Sequence, residues 1–236
     1  MHHRTVEEVM TREVVSVRPT TTFKEIVELF TRNDITAVPV LDPRDNPVGL
    51  VSEADLIRKE AVRPDPEGHG GPLWMRPRDR ARAEAVTAGE IMTSPVRTAR
   101  PGWTLVETAR EMDQHKVKRL PVVDEAGQLI GIVSRCDLLS VFLREDSAIA
   151  QEINHEVLEQ TMRLIPGAVR ATVHQGVVSL RGQVDRKTMV PVLERLCRSV
   201  DGVVSVDGYL DYIFDDTHPG ARPAAAGRNT GQTLLR

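Results

Sequence analysis

Between residues 14 and 57 the apolar positions change period several times, and each change marks an element. VVSV (Val14 to Val17) is a short β run ended by Arg18-Pro19, and Thr20, Thr21 or Thr22 stands where a helix cap is wanted. Phe23, Ile26, Val27 and Phe30 then recur at i, i+3, i+4 and i+7, one apolar face of a helix. Ala37 to Leu41 is a compact apolar strand. Asp42 to Pro47, rich in proline, aspartate and asparagine, is a turn. Val48 to Val51 is a second strand, and Ser52 opens a helix through Leu56 and Ile57. The predicted order is β-α-β-β-α.

The same order returns 82 residues later. EEVMTREVVSVRP from Glu7 matches GEIMTSPVRTARP from Gly89, so Met10-Thr11 falls on Met92-Thr93 and Pro19 on Pro101. Ala37 to Leu56 aligns without gaps on Arg119 to Leu138. In the second copy Leu105, Ala109 and Met112 form the helix face, and Glu125-Ala126-Gly127 the turn. One such unit has too small a core to be comfortable alone, and two packed together would bury both sheets.

After residue 145 the pattern changes. Ile149, Ile153 and Val157 repeat every fourth residue in a long helix that Pro166-Gly167 is expected to close. Val169, Ala171 and Val173 alternate with polar residues, Gln175-Gly176 suits a tight hairpin, and Val178, Leu180 and Val184 alternate again. Met189, Leu193, Leu196, Cys197 and Val200 make a second helix face, in which Pro191 must lie in the first turn or kink the helix. Gly202 ends it, and Val204, Val206 and Leu210 form a third strand, giving α-β-β-α-β.

The duplicated half resembles a tandem pair of CBS domains, a Bateman module. The resemblance rests on Val38-Pro39-Val40-Leu41-Asp42 and Leu120-Pro121-Val122-Val123-Asp124, and on Gly-x-x-Ser-x-x-Asp at Gly49, Ser52, Asp55 and again at Gly131, Ser134, Asp137. The last segment resembles the BON domain through Gly176, Gly182 and Gly202. Together they imply an α+β fold: residues 1–60 as CBS repeat 1, 61–86 as a linker, 87–145 as CBS repeat 2, 146–214 as the BON domain and 215–236 as a disordered tail.

The repeated motif suggests a ligand. Gly49 and Gly131 would let it approach the backbone. Ser52 and Ser134 sit at helix starts, which favour anions. Asp55 and Asp137, one turn on, suit ribose hydroxyls, as acidic residues do in dinucleotide sites. Pro39, Val40, Pro121 and Val122 would offer a slot for a flat base. The competing reading is local: Ser-x-x-Asp at a helix start is close to a capping box and needs no ligand. The resemblance to nucleotide-binding CBS pairs adds that the residues just before the Leu-Pro strand hold phosphate. In the second copy these are His115, Lys118 and Arg119; in the first, Asn33, Thr36 and Ala37. The second site is therefore expected to bind AMP, ADP or ATP better, the first needing to borrow cations from linker Arg76, Arg78, Arg80 and Arg82. The alternative there is a solvated spacer, since Asp65, Glu67, Asp79 and Glu84 dilute the charge.

Composition narrows the function. The 31 Lys+Arg nearly balance 34 Asp+Glu, and only four Phe, two Trp and two Tyr are present, which argues against nucleic acid. Two cysteines, Cys136 and Cys197, make no disulfide framework, and neither has the electropositive surroundings of a nucleophile. No paired carboxylates, P-loop or metal-ligand spacing is evident, adjacent His2 and His3 read as solvated, and the chain has no room for a catalytic barrel of about 250 residues. The N-terminus lacks the apolar core of a signal peptide, and no apolar run approaches the ~20 residues of a membrane span. The expectation is a non-enzymatic cytoplasmic regulator, homodimeric through its CBS pair, whose BON domain meets a protein or membrane surface. The alternative is a ligand-free dimerisation adaptor.

Overall fold

The computed structural model describes residues 4–61 and 85–217. His2, His3, the linker arginines and the tail from residue 218 lie outside the described residues. The fold is α+β, and the chain divides into two compact units, Arg4–Leu138 and one beginning at Leu139.

In the first unit the repeats are built alike. Helices α1 (Val6–Val9) and α2 (Phe23–Asn33) precede strands β1 (Ala37–Leu41) and β2 (Pro47–Ser52), then α3 (Glu53–Ala61). Helices α4 (Ala88–Ile91) and α5 (Leu105–Gln114) precede β3 (Arg119–Val123), β4 (Leu129–Ser134) and α6 (Arg135–Leu139). Of the three candidate caps, Thr22 holds α2, its hydroxyl taking the Glu25 N–H while Glu25 returns to the Thr22 N–H at 2.7 Å. Thr104 and Glu107 do the same for α5. The hairpins share one register, Val40 facing Gly49 and Val122 facing Gly131. Each predicted first strand shrinks to one bridging residue: Val17 pairs parallel with Val40, and Ala99 with Val122.

The leading segments change partners. Thr11, in the leading segment of the first repeat, pairs antiparallel with Ile132 of the second, and Thr93, in the leading segment of the second, pairs with Leu50 of the first. The side chains follow. Ala88 and Ile91 lie in the core with Ile26, Phe30, Val38 and Val51, while Val6 and Met10 lie in the core with Met112, Leu120 and Val133. A Cβ on Gly49 would overlap the Met92 side chain from Sδ back to its own Cβ, and a Cβ on Gly131 would meet Met10 and the Thr11 carbonyl.

In the second unit, helix α7 (Asp146–Glu152) continues as a π-helix (Ile153–Thr161), followed by β5 (Val169–His174), β6 (Val177–Arg186), α8 (Met189–Arg198) and β7 (Ser205–Phe214). An apolar step of four drifts about 40° per step on a 3.6-residue turn. The wider π turn takes up that drift, and Ile149, Ile153 and Val157 are all buried. The helix stops at Thr161, before the expected Pro166-Gly167, because Arg163 turns left-handed (φ 53) and Leu164 N–H returns to Leu158. Sheet order is β5-β6-β7, antiparallel then parallel, with α8 as the crossover. Gln175 and Gly176 both have positive φ, as the tight hairpin requires, and Asp146 accepts both their N–H groups at 2.6 and 2.8 Å. Pro191 is the third residue of α8, inside the first turn, where no intrahelical N–H is missed. Asp216, expected in the tail, caps that helix through Thr188 N–H (3.0 Å) and hydroxyl (2.7 Å).

Two predictions follow from these contacts. Gly49→Ala should lower the denaturant stability of the first unit by about 1–3 kcal/mol. Met92→Ala combined with it should recover part of that loss; simple additivity in the double-mutant cycle would contradict the contact. The Gly176 and Gln175 N–H groups hold the Asp146 carboxyl below the ordinary 3.8. Its stabilisation is then present above that value and lost as pH falls through the lower folded value. Asp146→Asn should flatten the acid side of the stability–pH profile, and an unchanged slope would show the turn clamp to be unimportant.

Candidate functional site

Each hairpin ends on the serine of the motif, where strand turns into helix. Glu53 N–H binds the Thr36 carbonyl (2.9 Å) and Arg135 N–H the Lys118 carbonyl (3.0 Å), fixing both turns alike. Asp55 Oδ2 accepts Ser52 N–H at 3.0 Å and the Ser52 hydroxyl at 2.6 Å. Asp137 Oδ2 accepts Ser134 N–H at 2.7 Å and the Ser134 hydroxyl at 2.8 Å, and Asp137 N–H points back to Ser134 Oγ. Both pairs are capping interactions, so these donors are already used by a carboxylate. The helix starts at Ser52 and Ser134 therefore do not present them to a phosphate, which corrects that part of the sequence expectation.

The two aspartates differ in what surrounds them. Asp55 is buried, and its Oδ1 takes Arg58 at 2.9 Å. Asp137 lines a cleft of about 250 Å³ whose walls come from both repeats. Ile132, Ser134 and Arg119 belong to the second copy; Thr11, Glu13, Val14 and Val15 lie in the leading segment of the first, Asp34 to Thr36 precede its β1, and Ala37 opens that strand. The partner exchange explains this mixture, since Thr11 is hydrogen-bonded to Ile132 in both directions at 3.0 and 2.9 Å. Arg119 reaches across to the Thr36 hydroxyl at 2.6 Å. Burial lowers its pKa, opposed by Cys136 and Asp137, and an arginine keeps its charge regardless.

Other expected site residues lie elsewhere. Pro39, Val40, Pro121 and Val122 are buried in their strands and do not line this cleft. The carbonyls of Pro39 and Pro121 accept Val17 and Ala99 N–H, so a preceding segment of the same chain covers that edge. The apolar wall is Val14, Val15, Ile35, Ala37 and Ile132 instead. Gly49 and Gly131 face methionine side chains rather than open space. Lys118 is exposed and absent from the cleft lining, and His115 pairs with Glu111 at 3.3 Å. Sequence reasoning missed Glu13, Val15, Ile35 and Ile132; the repeated Met-Thr pair marked the exchanged segments but not the copy each would join. Two roomier grooves, of about 450 Å³ beside β5 and about 380 Å³ beside α2, contain none of the repeated motif. Among the described residues no group of His, Cys, Asp and Glu is arranged to hold a metal ion, and no helix is long and apolar enough to cross a membrane.

The CBS domain family matches residues 6–61 and 88–144, and the BON domain family residues 145–213. The chain belongs to the CBS-domain proteins, carrying a tandem CBS pair followed by a BON domain. A Methanopyrus kandleri protein is 31% identical over 144 residues, covering 60% of this chain and 64% of its own length, so the match spans just under two thirds of that relative. A Methanocaldococcus jannaschii protein is 31% identical over 134 residues, covering 50% of this chain and 80% of its own. The solved structure of Arabidopsis thaliana CBSX2 in complex with AMP is similar at 29% identity with a TM-score of 0.51, covering 59% of this chain and 96% of that one.

The cap itself is testable without ligand. Ser134→Ala should destabilise the first unit by about 0.5–2 kcal/mol in chemical denaturation, and no loss of stability would mean that the cap is replaced by water.

Proposed function

We propose that the CBS pair is a non-enzymatic sensor of an adenine nucleotide of the AMP, ADP or ATP type, and that the BON domain is the module through which the change is read. The observation that carries this reading is the cleft between the repeats, where Asp137 and Arg119 stand beside Val14, Val15, Ile35 and Ile132. Apolar walls suit a purine, the carboxylate suits ribose hydroxyls, and the guanidinium suits phosphate. The AMP complex of the related CBSX2 supports the same ligand class. A ligand that favours one arrangement of the two repeats shifts the population toward it, which is all that signalling requires. In this reading the CBS pair also forms a homodimer, and the BON domain contacts a protein or a membrane surface.

A second reading has its own support. Both Ser–Asp pairs are engaged in capping, which fits a ligand-free dimerisation adaptor.

Calorimetric titration of the full chain separates the two. AMP should bind, and Arg119→Ala or Asp137→Ala should weaken it about tenfold, equivalent to about 1.4 kcal/mol. No heat with AMP, ADP or ATP at millimolar concentration would leave the adaptor.

A further inference from the structure

The charge around the Asp137 cleft is lopsided. Among the described residues, Glu13, Asp34 and Asp137 line it, against the single cation Arg119. Of the cations next in sequence to lining residues, Arg12 pairs with Glu7 at 3.2 Å, Arg135 donates to the Val117 carbonyl at 3.1 Å, and Lys118 is exposed and outside the lining. The acidity belongs to this mouth and not to the repeat as such. At the same offset of 82 residues, Glu13 corresponds to Pro95 and Asp34 to Lys116. Asp34 is the left-handed residue (φ 51) that ends α2, and Lys116 is left-handed too (φ 55), so one backbone shape carries opposite charges in the two copies.

We propose that this cleft selects adenosyl ligands of low negative charge and rejects the triphosphate. The proposal rests on the adenine-nucleotide reading above and gives it a direction. Arg119 matches the charge of one phosphate. Each further phosphate brings negative charge toward Glu13 and Asp34 with no cation lining the cleft to meet it, and like charges facing each other across a partly desolvated cleft repel. Adenosine and AMP fit this balance, whereas ADP and ATP exceed it. Glu13 and Asp34 thereby act as specificity-determining residues that need not touch the ribose or the base.

The test is a calorimetric series on the full chain with adenosine, AMP, ADP and ATP, without divalent cations and at low salt. Asp137→Ala and Arg119→Ala, checked for folding by thermal melting, mark which binding belongs to this cleft. AMP should bind about tenfold or more tightly than ATP, and raising the salt should narrow the gap by screening. The double variant Glu13→Gln with Asp34→Asn removes two charges at exposed positions while keeping side-chain shape, and asparagine tolerates the left-handed turn. In it the AMP-to-ATP ratio should fall to within about threefold, through tighter ATP binding. ATP binding as tightly as AMP in the natural protein, lost with Asp137→Ala or Arg119→Ala, would overturn the selectivity and leave the sensor intact. A gap unmoved by salt and by the double variant would overturn the electrostatic cause. No binding by any of the four would overturn the sensor and this inference together.

Discussion

The exchange of leading segments between the repeats is the constraint on which the first unit depends. Neither hairpin completes its own sheet: β2 needs Thr93 from the second copy beside Leu50, and β4 needs Thr11 from the first beside Ile132. The apolar residues that travel with them, Ala88 and Ile91 in one direction and Val6 and Met10 in the other, are buried in the receiving core. Fully burying one such aliphatic side chain stabilises by about 1.5–3 kcal/mol, so several of them tie the two repeats into one cooperative body. Gly49 and Gly131 belong to this arrangement. They stand where a side chain would collide with the arriving methionine, which gives the glycine of each motif a packing reason that involves no ligand.

The Ser–Asp pair shows how one motif fixes the turn from strand to helix. A carboxylate over the first turn satisfies open N–H groups and complements the helix dipole. That same engagement uses the serine N–H and hydroxyl at the helix start, and the cation lining the cleft is a side chain, Arg119. What separates the copies is the company each aspartate keeps. Arg58 pairs with Asp55 at 2.9 Å, whereas Asp137 lines the cleft together with Arg119. Of the two motif aspartates, Asp137 is the one that lines the cleft. Lys118 is not among the residues lining the cleft, and the counter-charge at Asp55 comes from its own helix.

Much of the fold was legible because it is local. The offset of 82 residues, the Thr caps, the helix faces and the Gln175-Gly176 turn depend on neighbours within a few positions, and periodicity records those directly. The cleft was less legible because its lining is not local. Val15, Ile35 and Ile132 look like ordinary strand residues until the chain exchange sets them around one space, and nothing in the spacing of Met10-Thr11 tells which hairpin it will join. Val40 and Val122 erred the other way: apolar residues beside a motif look like a binding slot, yet the parallel bridges from Val17 and Ala99 cover them. The π segment was written in the four-residue step of Ile149, Ile153 and Val157, a period that suits neither a regular α-helix nor a strand.

A duplicated backbone with divergent edges has a consequence for regulation. The repeat supplies shape twice, but three of the four charged residues lining the cleft come from positions where the copies differ: Arg119 against Ala37, Asp34 against Lys116, Glu13 against Pro95. Packing holds the shared positions fixed, because a change at Gly49 or Val122 disturbs a core, while a change at Asp34 or Glu13 meets only solvent and whatever enters the cleft. Ligand preference can therefore change in one mouth without unsettling the fold. Since the cleft walls include the exchanged segment from Thr11 to Val15, a bound molecule would act on the same piece of chain that completes the second sheet, joining occupancy to the packing of the pair.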